Sequence, residues 1–225
     1  MGKRISHSWL DPWVGPPLKS LYQVIPIPRM FPPEGIILVG HLLAILAAIG
    51  FAYSTSRWWG GLLVALGVIG NHTADCIDGT HARATGQCRN GGELLDHFTD
   101  PLSFAYWLVG LAISCKQPYC GLVAVICLYA LAVLTNLKAK MIGEFTLSQF
   151  GPTEFKTLLS IYGLCMSASL LAGQDTAFTM TVAHYFLRIL IAIGVIQLVT
   201  QLWHSVQEVN QNGTPPDTSE WITTT

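Results

Sequence analysis

Asp75-Cys76-Ile77-Asp78-Gly79-Thr80-His81-Ala82-Arg83, followed eight residues later by Gly92-Glu93-Leu94-Leu95-Asp96-His97-Phe98-Thr99-Asp100, is the stretch that decides how this chain is read. Asp75 and Asp78 are three residues apart and Asp96 and Asp100 four, so on helices each pair occupies a single face. Apolar blocks flank both pairs. A carboxylate at the centre of a membrane helix costs about 2.5–3.5 kcal/mol on insertion scales, so acids on such helices face a bundle interior and mark function.

Outward from this stretch the chain is 51% hydrophobic and only 11% charged, with mean hydropathy +0.46, whereas soluble domains are about a quarter charged. Six apolar blocks reach the roughly 20 residues that a helix needs to cross a bilayer. They fall at Gly35–Thr55, Trp58–Asp78, Glu93–Ser114, Pro118–Lys138, Pro152–Gly173 and Ala177–Ser205. The expected fold is therefore an all-α membrane protein with six transmembrane helices. In residues 7–33, Leu18, Leu21, Val24 and Ile25 recur at helical spacing, predicting an interfacial helix with Trp9 and Trp13 at headgroup depth. The expected organisation is an N-terminal segment over 1–34, one six-helix domain over 35–206, and a polar tail over 207–225, disordered from Asn210.

With the N-terminus inside, Lys3, Arg4, Lys19, Arg29, Arg83, Arg89, Lys138, Lys140 and Lys156 are cytoplasmic or juxtamembrane. Only Arg57 and Lys116 then lie outside, and Arg188 lies within a span. This asymmetry places both termini and the acidic stretch on the cytoplasmic side. The first apolar run has no cleavage pattern and acts as its own insertion signal. Met1-Gly2-Lys3-Arg4-Ile5-Ser6 fits a loose myristoylation pattern, which adds little to a chain with six spans. The six cysteines show no metal-ligand spacing; Cys115 and Cys120 flank an outer loop and are expected to stay reduced.

A hairpin that brings four carboxylates together is repulsive unless cations hold it, and hard oxygen ligands select Mg2+ or Mn2+, with two ions expected. Zinc is disfavoured without a Cys or His quartet. Gly79, Ala82 and Gly92 remove bulk where a nucleotide or a helix approaches the backbone. Arg83 suits a phosphate or one of the aspartates.

The pattern D-x-x-D-G-x-x-A-R-x8-G-x3-D-x3-D resembles the signature of the CDP-alcohol phosphotransferase family. The resemblance implies a homodimeric six-helix core that acts on CDP-alcohol and lipid substrates, with no nucleic-acid partner. It implies that Asp75, Asp78 and Asp96 bind metal, that Asp100 completes the metal site or serves as base, and that Gly79, Ala82 and Arg83 line the CDP pocket. Gly92-Glu93-Leu94-Leu95-Asp96-His97 and Gly151-Pro152-Thr153-Glu154 resemble stretches of the choline and ethanolamine phosphotransferases. CDP-choline or CDP-ethanolamine is therefore the expected donor and diacylglycerol the acceptor. The alternative is a CDP-diacylglycerol-dependent phosphatidyltransferase of the phosphatidylglycerophosphate or phosphatidylinositol synthase type. The family's P-N-x-x-T-x-x-G stretch is broken here, where Pro33-Glu34-Gly35-Ile36-Ile37-Leu38-Val39-Gly40 lacks the Asn and the Thr.

Glu93, His97 and Asp100 share a helix face, and a neutral imidazole takes a proton near physiological pH more readily than a metal-bound carboxylate. His97 is the expected base, oriented by Glu93, with Asp100 as the rival. Elsewhere, Lys138 and Lys140 read as interfacial anchors, and His184 and Arg188 as interior groups within reach of a substrate phosphate. Tyr106, Trp107 and Tyr129 offer an aromatic cage for a quaternary ammonium; His41, His72 and His204 have no evident partner. An ion-coupled transporter would need inverted repeats and helices broken at mid-membrane, whereas these acids sit at the inner edge of the spans.

Overall fold

A computed structural model describes residues 4–215, 218 and 219. After a short strand β1 (Arg4–Ser6) comes α1 (Asp11–Ser20), continued by a 3-10 turn over Leu21–Gln23. Six long helices follow: α2 (Pro33–Tyr53), α3 (Trp58–Thr85), α4 (Asn90–Ser114), α5 (Pro118–Ile142), α6 (Pro152–Leu171) and α7 (Thr176–Asn212). Their ends are written in local chemistry. Proline opens α2, α5 and α6, where its missing N–H costs nothing. Asp175 caps α7 by accepting from the Phe178 N–H at 2.7 Å. Gly86, at φ +72°, closes α3 in the left-handed region.

Four helices, α2, α3, α5 and α7, are long and apolar enough to cross a membrane. The chain is a multi-pass membrane protein. The other two long helices, α4 and α6, carry Glu93, Asp96 and Asp100 and Glu154 and Lys156 respectively.

α3 packs between α2 and α6, α4 lies against α2 and α5, and α7 lies against α5. Small residues set the approach of α3 to α6, where a Cβ on Gly61 would come within 2.3 Å of the Gly163 carbonyl oxygen. Below this contact Phe51, Tyr162 and Phe186 stack, with Trp107 fully buried and donating its indole N–H to the Ala44 carbonyl at 2.9 Å.

Four expectations need correction. The fold is not purely helical, because β1 pairs in parallel with β2 (Phe145–Leu147), in the register Arg4 to Phe145, Ile5 to Thr146 and Ser6 to Leu147. The second block does not end at Asp78: Gly79, Ala82 and Arg83 ride on α3, which continues seven residues further, to Thr85. The last helix also runs on through Asn212, because Glu208 within it meets Lys138 of α5 at 2.6 Å. The interfacial helix forms earlier than the Leu18 to Ile25 periodicity suggests, with Pro16 and Pro17 in its second half and Trp9 and Trp13 exposed. Met1-Gly2-Lys3 and much of the tail lie outside the described residues.

Candidate active site

The ends of α3, α4 and α6 converge on the acidic stretch, and a cavity of about 750 Å3 opens there. One ligand oxygen from each of Asp75, Asp78 and Asp96 lies within 4.8 Å of the others. Asp78 is 6% exposed. Its Oδ1 accepts from the Gly79 N–H, while Oδ2 is buried with no hydrogen-bond partner. A buried carboxylate oxygen without a partner is costly, and hard divalent cations are its natural complement. The residues present therefore fit Mg2+ or Mn2+, held by Asp75, Asp78 and Asp96.

Asp100, expected beside these three as ligand or base, has a different partner. Lys156 on α6, 1% exposed, donates to Asp100 Oδ1 at 3.2 Å and to Asp75 Oδ2 at 2.9 Å. Its ammonium also lies 5.5 Å from the centroid of the Phe104 ring. His72, expected to lack a partner, places Nδ1 3.7 Å from Asp75 Oδ2. The sequence reading carried Lys156 only as a juxtamembrane charge and His72 only as a histidine without an evident partner. The signal for Lys156 was its register, since Lys156, Leu159, Ser160, Gly163, Met166 and Ser167 form the buried stripe of α6.

His97 lines the cavity, its ring edge-on to Phe145 of β2 at 4.8 Å, with Nε2 3.9 Å from Glu93 Oε1. Glu93 itself stands behind His97, outside the cavity lining. Pro101 follows Asp100 and has no N–H to donate to the His97 carbonyl, so the α4 ladder is interrupted beside the acids.

Gly79 and Arg83 face the cavity, and the Arg83 guanidinium covers Gly79 so closely that a Cβ there would meet it at 3.2 Å. Ala82 and Gly92 do not line the cavity. Gly92 instead leaves room for Glu34 of α2, which pairs with Arg89 at 3.6 Å where relatives are expected to carry Asn.

Several further expectations change. Arg188 is exposed on α7 and the His184 ring lies tilted against Tyr185, and neither residue lines the cavity. Lys138 is committed to Glu208. His41 meets Ser103 at 3.3 Å and packs on Tyr106. Trp107 is core, and neither Tyr106 nor Tyr129 reaches the cavity. Cys115 and Cys120 are free thiols, in line with the expectation that they stay reduced.

The cavity lining is of two kinds. Lys19 of α1, Arg83 and the aspartates supply charged groups; Cys127, Leu131, Leu190 and Gly194 of α5 and α7 supply apolar ones. A charged diphosphate suits the first, hydrocarbon the second.

A family model described as CDP-alcohol phosphatidyltransferase matches residues 30–203. The chain belongs to the CDP-alcohol phosphatidyltransferase family. Within that family it is 35% identical to cholinephosphotransferase 1 of Bos taurus over 96 residues, which is 40% of this chain and 24% of the relative. It is 27% identical to the Rattus norvegicus protein of the same name over 183 residues, 76% of this chain and 44% of the relative. Phosphatidylinositol phosphate synthase of Mycolicibacterium smegmatis is 26% identical over 196 residues, 84% of this chain and 86% of the relative. The chain thus spans less than half the length of these cholinephosphotransferases.

Proposed function

We propose that this protein transfers a phospho-alcohol group from a CDP-alcohol, CDP-choline or CDP-ethanolamine in the first instance, to the hydroxyl of diacylglycerol with release of CMP. The observation that carries this reading is three convergent carboxylates in one cavity whose lining is partly charged and partly apolar. A water-soluble nucleotide and a lipid can reach one another only at such a place.

In the proposed reaction Arg83 and Lys19 draw the diphosphate to the charged lining, and Gly79 lets it approach the α3 backbone. Asp75, Asp78 and Asp96 hold a divalent cation that, when bound, offsets diphosphate charge and the negative charge developing on the departing CMP. His97 takes the proton of the lipid hydroxyl, whose oxygen forms a bond to the phosphorus next to the alcohol as the phosphorus–oxygen bond to CMP breaks. Glu93 orients the imidazole and stabilises its cationic form. The six long helices all span the bilayer, the site and both termini face the cytoplasm, where the nucleotide is soluble, and the chain works as a homodimer.

The second reading is a CDP-diacylglycerol-dependent phosphatidyltransferase, favoured by the match to most of the length of phosphatidylinositol phosphate synthase. Purified protein incubated in turn with labelled CDP-choline, CDP-ethanolamine and CDP-diacylglycerol, each with its acceptor, separates the two. CMP release with the first or second donor supports the aminoalcohol reading. Turnover with CDP-diacylglycerol alone replaces it with the second.

A further inference from the structure

Lys156 is the one fully buried ammonium among the described residues, and it sits inside the acidic cluster rather than at its rim. It donates to Asp75 Oδ2 at 2.9 Å and to Asp100 Oδ1 at 3.2 Å, and it lies over the Phe104 ring, 5.5 Å from the centroid. The first distance is that of a charge-assisted hydrogen bond. Two of the four carboxylates of the cluster are thereby bridged by a cation that the chain supplies, while Asp78 Oδ2 is left without a partner.

We propose that Lys156 stands in the place of a second metal ion, so that this protein works with one divalent cation, held by Asp75, Asp78 and Asp96, and with Asp100 bound to the ammonium instead of to metal. This rests on the phosphotransferase reading above and departs from the two ions expected from four carboxylates. A second divalent ion shared by Asp75 and Asp100 would have to expel the ammonium. Among the described residues Lys156 has no ion-pair partner besides Asp75 and Asp100, and it is 1% exposed. A buried charge stripped of its partners is strongly disfavoured. One ammonium and one divalent ion carry three positive charges against four carboxylates, and Arg83 and Lys19, which also line the cavity, add positive charge for the incoming diphosphate.

The test is Mn2+ binding to the purified full-length protein in nanodiscs, by equilibrium dialysis with metal analysis and by electron paramagnetic resonance. Wild type is expected to bind one ion with the spectrum of an isolated Mn2+. Lys156→Met, purified in Mn2+ to offset the exposed carboxylates, is expected to bind two, with the signature of an exchange-coupled pair. Lys156→Arg keeps the cation and is expected to bind one. Two ions in wild type overturn the proposal and leave the phosphotransferase reading intact; none overturns both. A folded Lys156→Met that still binds one ion shows that the ammonium replaces nothing. Should Lys156→Met fail to fold, the wild-type count and its spectrum decide alone.

Discussion

His97 Nε2 lies 3.9 Å from Glu93 Oε1, one turn earlier on α4. This places a carboxylate behind an imidazole that faces the cavity, the arrangement in which a base is oriented by a second group. Asp100, the competing base, is occupied by Lys156. Loss of a general base costs roughly a hundredfold to ten-thousandfold in rate. His97→Gln should therefore lower kcat at least about a hundredfold with little change in donor affinity, and retention of more than about a third of wild-type kcat would assign the proton transfer elsewhere.

Asp78 carries a buried oxygen without a hydrogen-bond partner, so its contribution to stability should change sign with metal. In excess EDTA, Asp78→Asn removes one of several crowded negative charges and should melt at or above the temperature of wild type. With Mg2+ present it loses a ligand, should melt below wild type, and should turn over at least about a hundredfold more slowly, the worth of several kcal/mol of charge stabilisation. Activity of wild type in excess EDTA, or equal melting shifts in both conditions, would remove the metal from the mechanism.

What the sequence made legible follows from periodicity. The acids at i,i+3 and i,i+4 share faces as expected, and six apolar blocks became six long helices. What stayed hidden depends on contacts between distant elements. Lys156 lies near the start of α6, four residues after Pro152, and looks like a boundary cation; only the folding of α6 beside α3 and α4 carries it into the acids. The β1–β2 pair could not be read, because three-residue strands have too few positions to show alternation. Arg188, polar within an apolar block, was expected inside the bundle, yet α7 contributes mainly small and aliphatic residues to the cavity and turns Arg188 outward.

The same contacts give Gly151-Pro152-Thr153-Glu154 a structural task. Glu154, 6% exposed, accepts from Ser8 Oγ at 2.6 Å, from the Leu10 N–H at 3.0 Å and from the Gly151 N–H at 2.9 Å. Thr153 donates to Asp11, which also accepts from Ser6. The start of α6 thus fastens the N-terminal segment beside the cavity. Glu154→Ala leaves these donors unpaired at about 1–3 kcal/mol for the buried groups. Hydrogen exchange at Leu10 and Asp11 should accelerate while that of the α2 and α3 cores stays as in wild type, a pattern of local opening. Uniform acceleration everywhere would mean that Glu154 supports the whole fold.

Orientation has a native reporter in Cys88, exposed in the turn between α3 and α4 on the side of the acids. Impermeant thiol reagents should label Cys88 in intact cells only after permeabilisation. Lys116→Cys in a Cys88→Ser background should be labelled without it. The reverse pattern would overturn the cytoplasmic placement of the site.

The final prediction concerns the lipid. The cavity that holds the aspartates is also lined by Cys127 and Leu131 of α5 and Leu190 and Gly194 of α7, an apolar passage suited to a hydrocarbon chain. Gly194 is what keeps this passage open: a Cβ there would meet nothing nearer than the Cys127 Cβ at 3.7 Å, so the backbone does not need glycine for close packing. A larger side chain at 194 therefore enters the passage rather than separating helices, and leucine raises helix propensity by up to about 1 kcal/mol over glycine. Gly194→Leu should fold as well as wild type. If an acyl chain of the acceptor occupies this passage, kcat/KM should fall about tenfold or more for a long-chain diacylglycerol, the loss of about 1.4 kcal/mol of apolar contact. A dioctanoyl acceptor, whose chains end sooner, should lose less, and the KM of the CDP donor should not move. Equal losses for both acceptors, or a raised donor KM, would place the acyl chains outside this passage and give the apolar lining of the cavity to something other than the lipid.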